Sequence, residues 1–240
     1  EFENQKNKIT EKNIGFKNLI TFKDVSFSYD DKIKIFDNIN LKIKKGSKVG
    51  IIGKTGEGKS TFLDLFMGLL EPSDGKIIID DIVLTEETLN NWQTKISHVP
   101  QNIFLSDGSF LENIAFGKDV KDIDIKEIIS AAKKSQIHDF IDRSIDGYNS
   151  NVGERGAKLS GGQIQRIGLA RALYKKSKII IFDEATNSLD NETEKLVMNE
   201  LNNLDKELTL IIVAHRLNTL KDCDLILEID NKKIIQSKRI

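Results

Sequence analysis

The sequence predicts an α/β fold built around a mostly parallel sheet. Three observations carry this expectation. Short apolar runs at residues 49–52, 179–182 and 210–213 have the length and composition of strands buried on both faces. Helix-spaced apolar residues stand between them, as in Phe62, Leu63, Leu65, Phe66, Leu69 and Leu70 after the first run. A long middle stretch, about 104–172, has a three- and four-residue apolar spacing that predicts a mainly helical insert.

The elements follow in order. Ile20, Phe22, Val25, Phe27 and Tyr29 alternate well enough for a strand, and Ile39, Leu41 and Ile43 for a second. Lys45-Gly46 reads as a turn. The run 49–52 is followed by glycines and then by a helix over about 60–70, which Pro72 and Gly75 are expected to end. Residues 77–79 form another strand. In the insert, Ile123, Ile125, Ile128, Ile129 and Ala132 mark helical spacing. A helix over about 191–204 separates the last two apolar runs. Residues 225–229 and 233–235 close the chain as a hairpin around Asp230-Asn231.

Composition narrows the function. The 240 residues are 39% hydrophobic and 30% charged, an ordinary globular balance with room for one large α/β domain or two small ones. A formal net charge of -1 offers no electrostatic case for nucleic acid. The lysines at 42, 44, 45 and 48 read as the wet face of a strand. One cysteine, Cys223, permits no internal disulfide and no cysteine metal cluster, and fits a reducing compartment. No stretch approaches the ~20 apolar residues that span a bilayer. No signal peptide is visible. The sequence opens at Glu1, and polar residues 1–18 read as a linker to an upstream segment or an expression remnant.

The chemistry is carried by three motifs. Gly53-Lys54-Thr55-Gly56-Glu57-Gly58-Lys59-Ser60, followed by Thr61, matches G-x-x-x-x-G-K-[ST] between an apolar strand and an amphipathic helix. Its glycines let backbone N–H groups turn toward a phosphate chain, and the helix N-terminus adds partial positive charge there. Lys59 is expected to reach the β- and γ-phosphates of ATP, and Ser60 to ligate Mg²⁺. The run 179–182 ends in Asp183-Glu184, which a parallel strand would deliver at its C-terminal edge. Asp183 would hold Mg²⁺ through water, and Glu184 would orient or deprotonate the attacking water. Ser160-Gly161-Gly162 just ahead of a helix is a second anion nest. Two phosphate grips make sense if two chains each offer one.

With these residues in view, the chain from Leu19 onward resembles the nucleotide-binding domain of ATP-binding-cassette (ABC) transporters. Tyr29 matches the aromatic that stacks on adenine, and Gln101 after Val99-Pro100 matches the Q-loop. Leu159-Ser160-Gly161-Gly162-Gln163 matches the signature, and Asp183-Glu184 ends the Walker B strand. Asn187-Ser188-Leu189-Asp190 matches the D-loop, and His215 the switch histidine. The resemblance implies a P-loop NTPase core, an N-terminal antiparallel β subdomain and a helical subdomain bearing the signature. It also implies an ATPase that works as a head-to-tail dimer of two copies or homologues. Each ATP would meet the P-loop of one chain and Ser160, Gly161, Gly162 and Gln163 of the other. His215 would contact the γ-phosphate, and Gln101 would sense Mg²⁺ or water. Two departures stand out: Asn187-Ser188 where Ser-Ala is usual, and the acid Glu57 inside the phosphate loop, whose side chain is expected to point away from phosphate.

Val152-Gly153-Glu154-Arg155-Gly156 resembles the X-loop of exporters, which touches the coupling helices of a transmembrane domain. The resemblance implies a place at the cytoplasmic face of the inner membrane. The segments around Pro100 to Gly108 and Asn113 to Gly117 look similar to flippases of lipid-linked saccharides and glycolipids, with peptide or drug exporters left open. An importer subunit and a non-transport ATPase for DNA repair or chromosome work are the rival readings. His98 and His138 match no motif position.

Overall fold

The computed structural model describes residues 13–30, 33–185, 189–203, 206–214 and 220–237. In chain order the elements are β1 (Leu19–Ser28), β2 (Lys34–Lys44), β3 (Lys48–Ile52), α1 (Lys59–Met67), β4 (Asp74–Ile79), β5 (Ile82–Val83), α2 (Glu86–Thr94) and β6 (Ile96–Val99). Then follow α3 (Phe110–Ile114), α4 (Ile125–Lys134), α5 (His138–Asp142), α6 (Gly161–Tyr174), β7 (Ile179–Asp183), α7 (Asn191–Asn202), β8 (Thr209–Val213), β9 (Leu225–Asp230) and β10 (Lys233–Ser237). The chain divides into two compact units. One is drawn from the described residues up to 45, 53–96 and 228–236, and the other from 46–52, 97–227 and 237.

The first unit holds an antiparallel sheet in the order β2-β1-β4-β5. A bulge explains the irregular pattern of β1. Asp24 has φ 53 and interrupts the register, so the parity of the strand flips there. Even-numbered Ile20 and Phe22 and odd-numbered Val25 and Phe27 are therefore all buried. Phe22 stacks on Phe62 of α1 at 5.3 Å, Phe66 meets Trp92 of α2 at 5.9 Å, and Trp92 meets Phe16 edge-on at 5.8 Å. The Trp92 indole N–H donates to Phe66 O at 2.8 Å, so the largest buried side chain loses no hydrogen bond.

Two expectations are corrected in this unit. Within the stretch read as a linker, two side chains belong to the core while Asn13, Lys17 and Asn18 are exposed. Ile14 and Phe16 are fully buried, Ile14 N donates to Asn91 Oδ1, and Asp80 accepts from the N–H groups of Lys17, Asn18 and Leu19. Helix α1 stops at Met67, ahead of Pro72 and Gly75, because Gly68 takes left-handed backbone and Leu69 N bonds back to Asp64 O. Helix α2 was not legible: it buries only Thr88 and Trp92, too few anchors to show a period.

In the second unit the sheet runs β9-β3-β8-β7-β6. Strands β3, β8 and β7 are parallel, with Val49 beside Ile211 and Ile181 beside Ile211. All five residues of β8 are buried, as a central parallel strand requires. One core cluster joins these strands to α7 and to Leu169 and Ala172 of α6. A second joins α3, α4 and α5 to Ile167, Ala170 and Tyr174 of the same helix. Helix α6 is thus apolar on two faces and lies between two cores. The insert is helical as expected. The terminal hairpin of β9 and β10 also forms, with Asn231 and Lys232 both at positive φ, the backbone of a two-residue hairpin turn.

Candidate functional site

The phosphate-loop motif bends where its glycines stand. Gly56 has φ 89 and Gly58 φ 101, backbone that side-chain-bearing residues rarely adopt. A Cβ on Gly58 would also come within 2.8 Å of Ile35 Cγ2. The turn ends at Lys59, the first residue of α1, whose leading N–H groups have no carbonyl partner one turn back within the helix. The Lys59 ammonium folds across the loop and donates to Gly53 O at 2.8 Å and Lys54 O at 3.1 Å. A cation held across a glycine loop at a helix start, where N–H groups are free to donate, is an arrangement that suits polyphosphate. Ser60 is exposed and Thr61 buried; Thr55 and Gly56 are exposed and Glu57 half-buried.

Tyr29 belongs to the same unit. Its ring is 61% exposed, sits edge-on to Phe27 at 5.0 Å, and its hydroxyl lies 3.0 Å from Thr61 Oγ1. Those two contacts hold an open aromatic face beside the start of α1.

Sheet register brings the acid pair to a defined edge. Ile51, Val213 and Asp183 lie in one row across β3, β8 and β7. The chain leaves β3 one residue later and enters Gly53. Asp183 therefore ends its strand at the same sheet edge from which the phosphate loop departs, the C-terminal edge where open parallel sheets bind ligands. Glu184 follows with φ 53, and its N–H donates to Val213 O at 3.1 Å. A non-glycine residue in left-handed backbone at a strand end is a strained device found at functional sites. Among the described residues no three His, Cys, Asp or Glu side chains cluster as a metal cage. The carboxylate of Asp183 is a hard oxygen donor of the kind Mg²⁺ takes, since that ion binds through few protein oxygens together with water and phosphate.

His98 had no sequence signal, yet its Nε2 lies 4.0 Å from Asp183 Oδ2. It is the exposed position of β6, and only strand adjacency brings it to the acid. Gln101 follows β6 and is exposed.

The signature residues form the start of α6. Ser160 is the N-cap, with its Oγ accepting from Gln163 N at 3.3 Å and its N–H donating to Gln163 Oε1 at 2.8 Å. This reciprocal cap fixes Ser160 and folds the Gln163 side chain back on the helix start. Gly161 and Gly162 supply the first turn without side chains to cover it. Upstream, Gly153 N donates to Asn151 Oδ1 at 2.7 Å, while Glu154 and Arg155 are exposed. His215, Asn187 and Ser188 lie outside the described residues. Asp190 is described: it caps α7 and accepts from Glu192 N and Thr193 N.

Comparison with known proteins gives a consistent picture. A family model described as ABC transporter matches residues 36–187. The chain is 39% identical over 233 residues to an ATP-dependent lipid A-core flippase of Francisella tularensis subsp. tularensis, covering 95% of this chain and 38% of that protein. It is 42% identical over 221 residues to the alpha-hemolysin translocation ATP-binding protein HlyB of Escherichia coli, covering 90% of this chain and 31% of that protein. A solved structure of a bacterial Atm1-family ABC exporter with ATP bound superposes with a TM-score of 0.86 at 37% identity, over 92% of this chain and 39% of the other. The chain thus spans less than half the length of the relatives it matches.

Proposed function

The chain belongs to the ABC transporter family, and from that premise we infer that it binds MgATP and hydrolyses it to drive export or flipping of a cargo across a membrane. The observation that carries this reading is the row Ile51, Val213, Asp183, which supports an acid pair at the edge where the phosphate loop begins. Residues 19–240 are taken as the nucleotide-binding domain, with a helical subdomain over about 104–172.

Lys59, Ser60, Thr61 and the amides of Gly53, Thr55, Gly56 and Gly58 grip the phosphates, and Tyr29 stacks on adenine. Ser60, Gln101 and Asp183 would hold Mg²⁺, which would supply neutralisation of phosphate charge when bound. Glu184 accepts a hydrogen bond from the attacking water and directs its lone pair at the γ-phosphorus. The bond from the γ-phosphorus to the bridging oxygen breaks, ADP leaves with that electron pair, and the water proton passes to Glu184 or to phosphate. Lys59 and His215 stabilise the charge that develops. Ser160, Gly161 and Gly162 of a second, head-to-tail chain close over the same γ-phosphate, with Gln163 holding their helix start. Residues 152–156 face the coupling helices of a transmembrane domain at the cytoplasmic face of the inner membrane. The relatives include a lipid flippase and a hemolysin translocator, which supports placing cargo choice in the part of those proteins that this chain does not span.

Glu184→Gln tests the mechanism. Turnover should fall by about a hundredfold or more while MgATP now holds a stable dimer, read by phosphate release and by size-exclusion chromatography with light scattering. Hydrolysis at the parent rate would remove Glu184 from the role of base. Lys59→Ala should abolish tight MgATP binding in calorimetry; unchanged affinity would sink the phosphate-loop assignment.

A further inference from the structure

The segment that follows Gln101 is fastened to α6 and to its approach, residue after residue. Ile103 lies against Gly168, where an added Cβ would come within 2.3 Å of Ile103 Cδ1. Phe104 O accepts from Arg171 Nη1 at 3.1 Å. Leu105 is buried against Gly156. Ser106 makes three hydrogen bonds with Asn113: its N–H donates to Oδ1 at 3.0 Å, its hydroxyl donates to Oδ1 at 3.3 Å, and its carbonyl accepts from Nδ2 at 3.1 Å. Asp107 Oδ1 accepts from Asn151 Nδ2, and Gly108 O from Val152 N.

Two side chains stand at the centre of this fastening. Asn113 is fully buried; its Nδ2 also donates to Ser109 O at 3.0 Å and its Oδ1 also accepts from Arg171 Nη2 at 3.4 Å. Arg171 Nε donates to Asn113 O at 2.9 Å, and its guanidinium lies 4.7 Å from the centre of the Phe116 ring. Burial depresses the Arg171 pKa, so the charge is held at a desolvation cost. A pair of apolar side chains could hold a loop to a helix without that cost. What a satisfied polar hub adds is one arrangement in preference to others.

We propose that Asn113 and Arg171 are positioning residues that lock the strap 103–109 to α6, and so hold Ser160 and Gly162 of this chain at the orientation needed to close over the ATP of a second chain. The inference rests on the two-chain reading of the nucleotide site. Neither side chain touches nucleotide; both act through the helix whose first turn carries the signature.

The test uses Arg171→Met and Asn113→Ala in the whole chain. MgATP affinity of the single chain, measured by calorimetry, should stay within about twofold of the parent, while kcat falls by about tenfold or more. Arg171→Lys, which keeps the charge but not the fork, should be intermediate. Ile128→Ala is the control, since it loosens the same helical core without touching the hub. A matching loss of turnover there, below its melting temperature, would assign the effect to general loosening and overturn the proposal. The hub variant is then mixed with Lys59→Ala. Mixed dimers contain one site with an intact phosphate loop and an intact signature, so turnover should return to about a quarter of the parent value. Gly162→Asp mixed with Lys59→Ala is the reference pair. If the reference recovers and the hub mixture does not, the hub does not act through the signature. If neither recovers, the two-chain site fails, and this inference with it.

Discussion

Single residues differ in how far their sequence neighbours reveal them. Lys59, Ser60, Asp183 and Ser160 stand in motifs whose spacing is local, and each is found at the element boundary that its motif demands. His98 is different, because its partner Asp183 belongs to another strand and no local pattern points to it. Cys223 shows how burial decides chemistry. Its thiol is 2% exposed and is pushed up to about 12 by desolvation, with Asp224 and Asp222 adding to the shift. Iodoacetamide at pH 8 should leave the native chain unlabelled for as long as it takes to label the urea-unfolded chain completely. Asp80 has a pH signature. Desolvation opposes its ionisation, but the N–H groups of Lys17, Leu19 and Asn18 outweigh it and hold the carboxyl below its ordinary value of 3.8. A folded-state pKa below the unfolded one stabilises the fold above pH 3.8 and loses that contribution as pH falls through the folded value. Asp80→Ala should therefore cost about 1–2 kcal/mol in urea titrations at pH 7, and distinctly less at pH 3.

Helices differ in how much of their start and of their period the local sequence carries. Ser109 with Glu112 and Ser160 with Gln163 both follow the S-x-x-E/Q pattern, and both form two-way caps at the starts of α3 and α6. Ser160→Ala should lower stability by about 1 kcal/mol through the lost cap, measured by urea denaturation, and should lower turnover beyond what that loosening explains. At the phosphate loop, Gly58→Ala must place a Cβ at φ 101 and against Ile35. The expected cost is at least about 1–2 kcal/mol, with MgATP affinity reduced more than stability because the loop amides are displaced. Helix α2 also starts at a two-way cap, Thr85 with Thr88, yet it escaped detection. Two buried residues, one of them a threonine, leave no period to count, and Trp92 becomes an anchor only because Phe66, Phe16 and the Phe66 carbonyl converge on it.

At the scale of the whole molecule the chain is an ATP-binding-cassette domain in which, among the described residues, no helix is long and apolar enough to cross a membrane. MgATP at about a hundredfold over its dissociation constant should raise unfolding stability by about 2.7 kcal/mol, with a matching rise in melting temperature, and Lys59→Ala should show no such rise.

The sequence by itself determined the α/β class, the nucleotide, the family and the motif residues. Each of these depends on short-range pattern: apolar runs, glycines next to a helix start, acids at a strand end. Only the tertiary structure decided that Ile14 and Phe16 are core, that a bulge at Asp24 keeps β1 facing one way, and that Ile51, Val213 and Asp183 share a row. It alone brought Asn113 and Arg171 together from opposite ends of the helical stretch. The reason is physical: strand register and the meeting of buried polar groups are set by contacts between residues far apart in the chain, which no local spacing encodes.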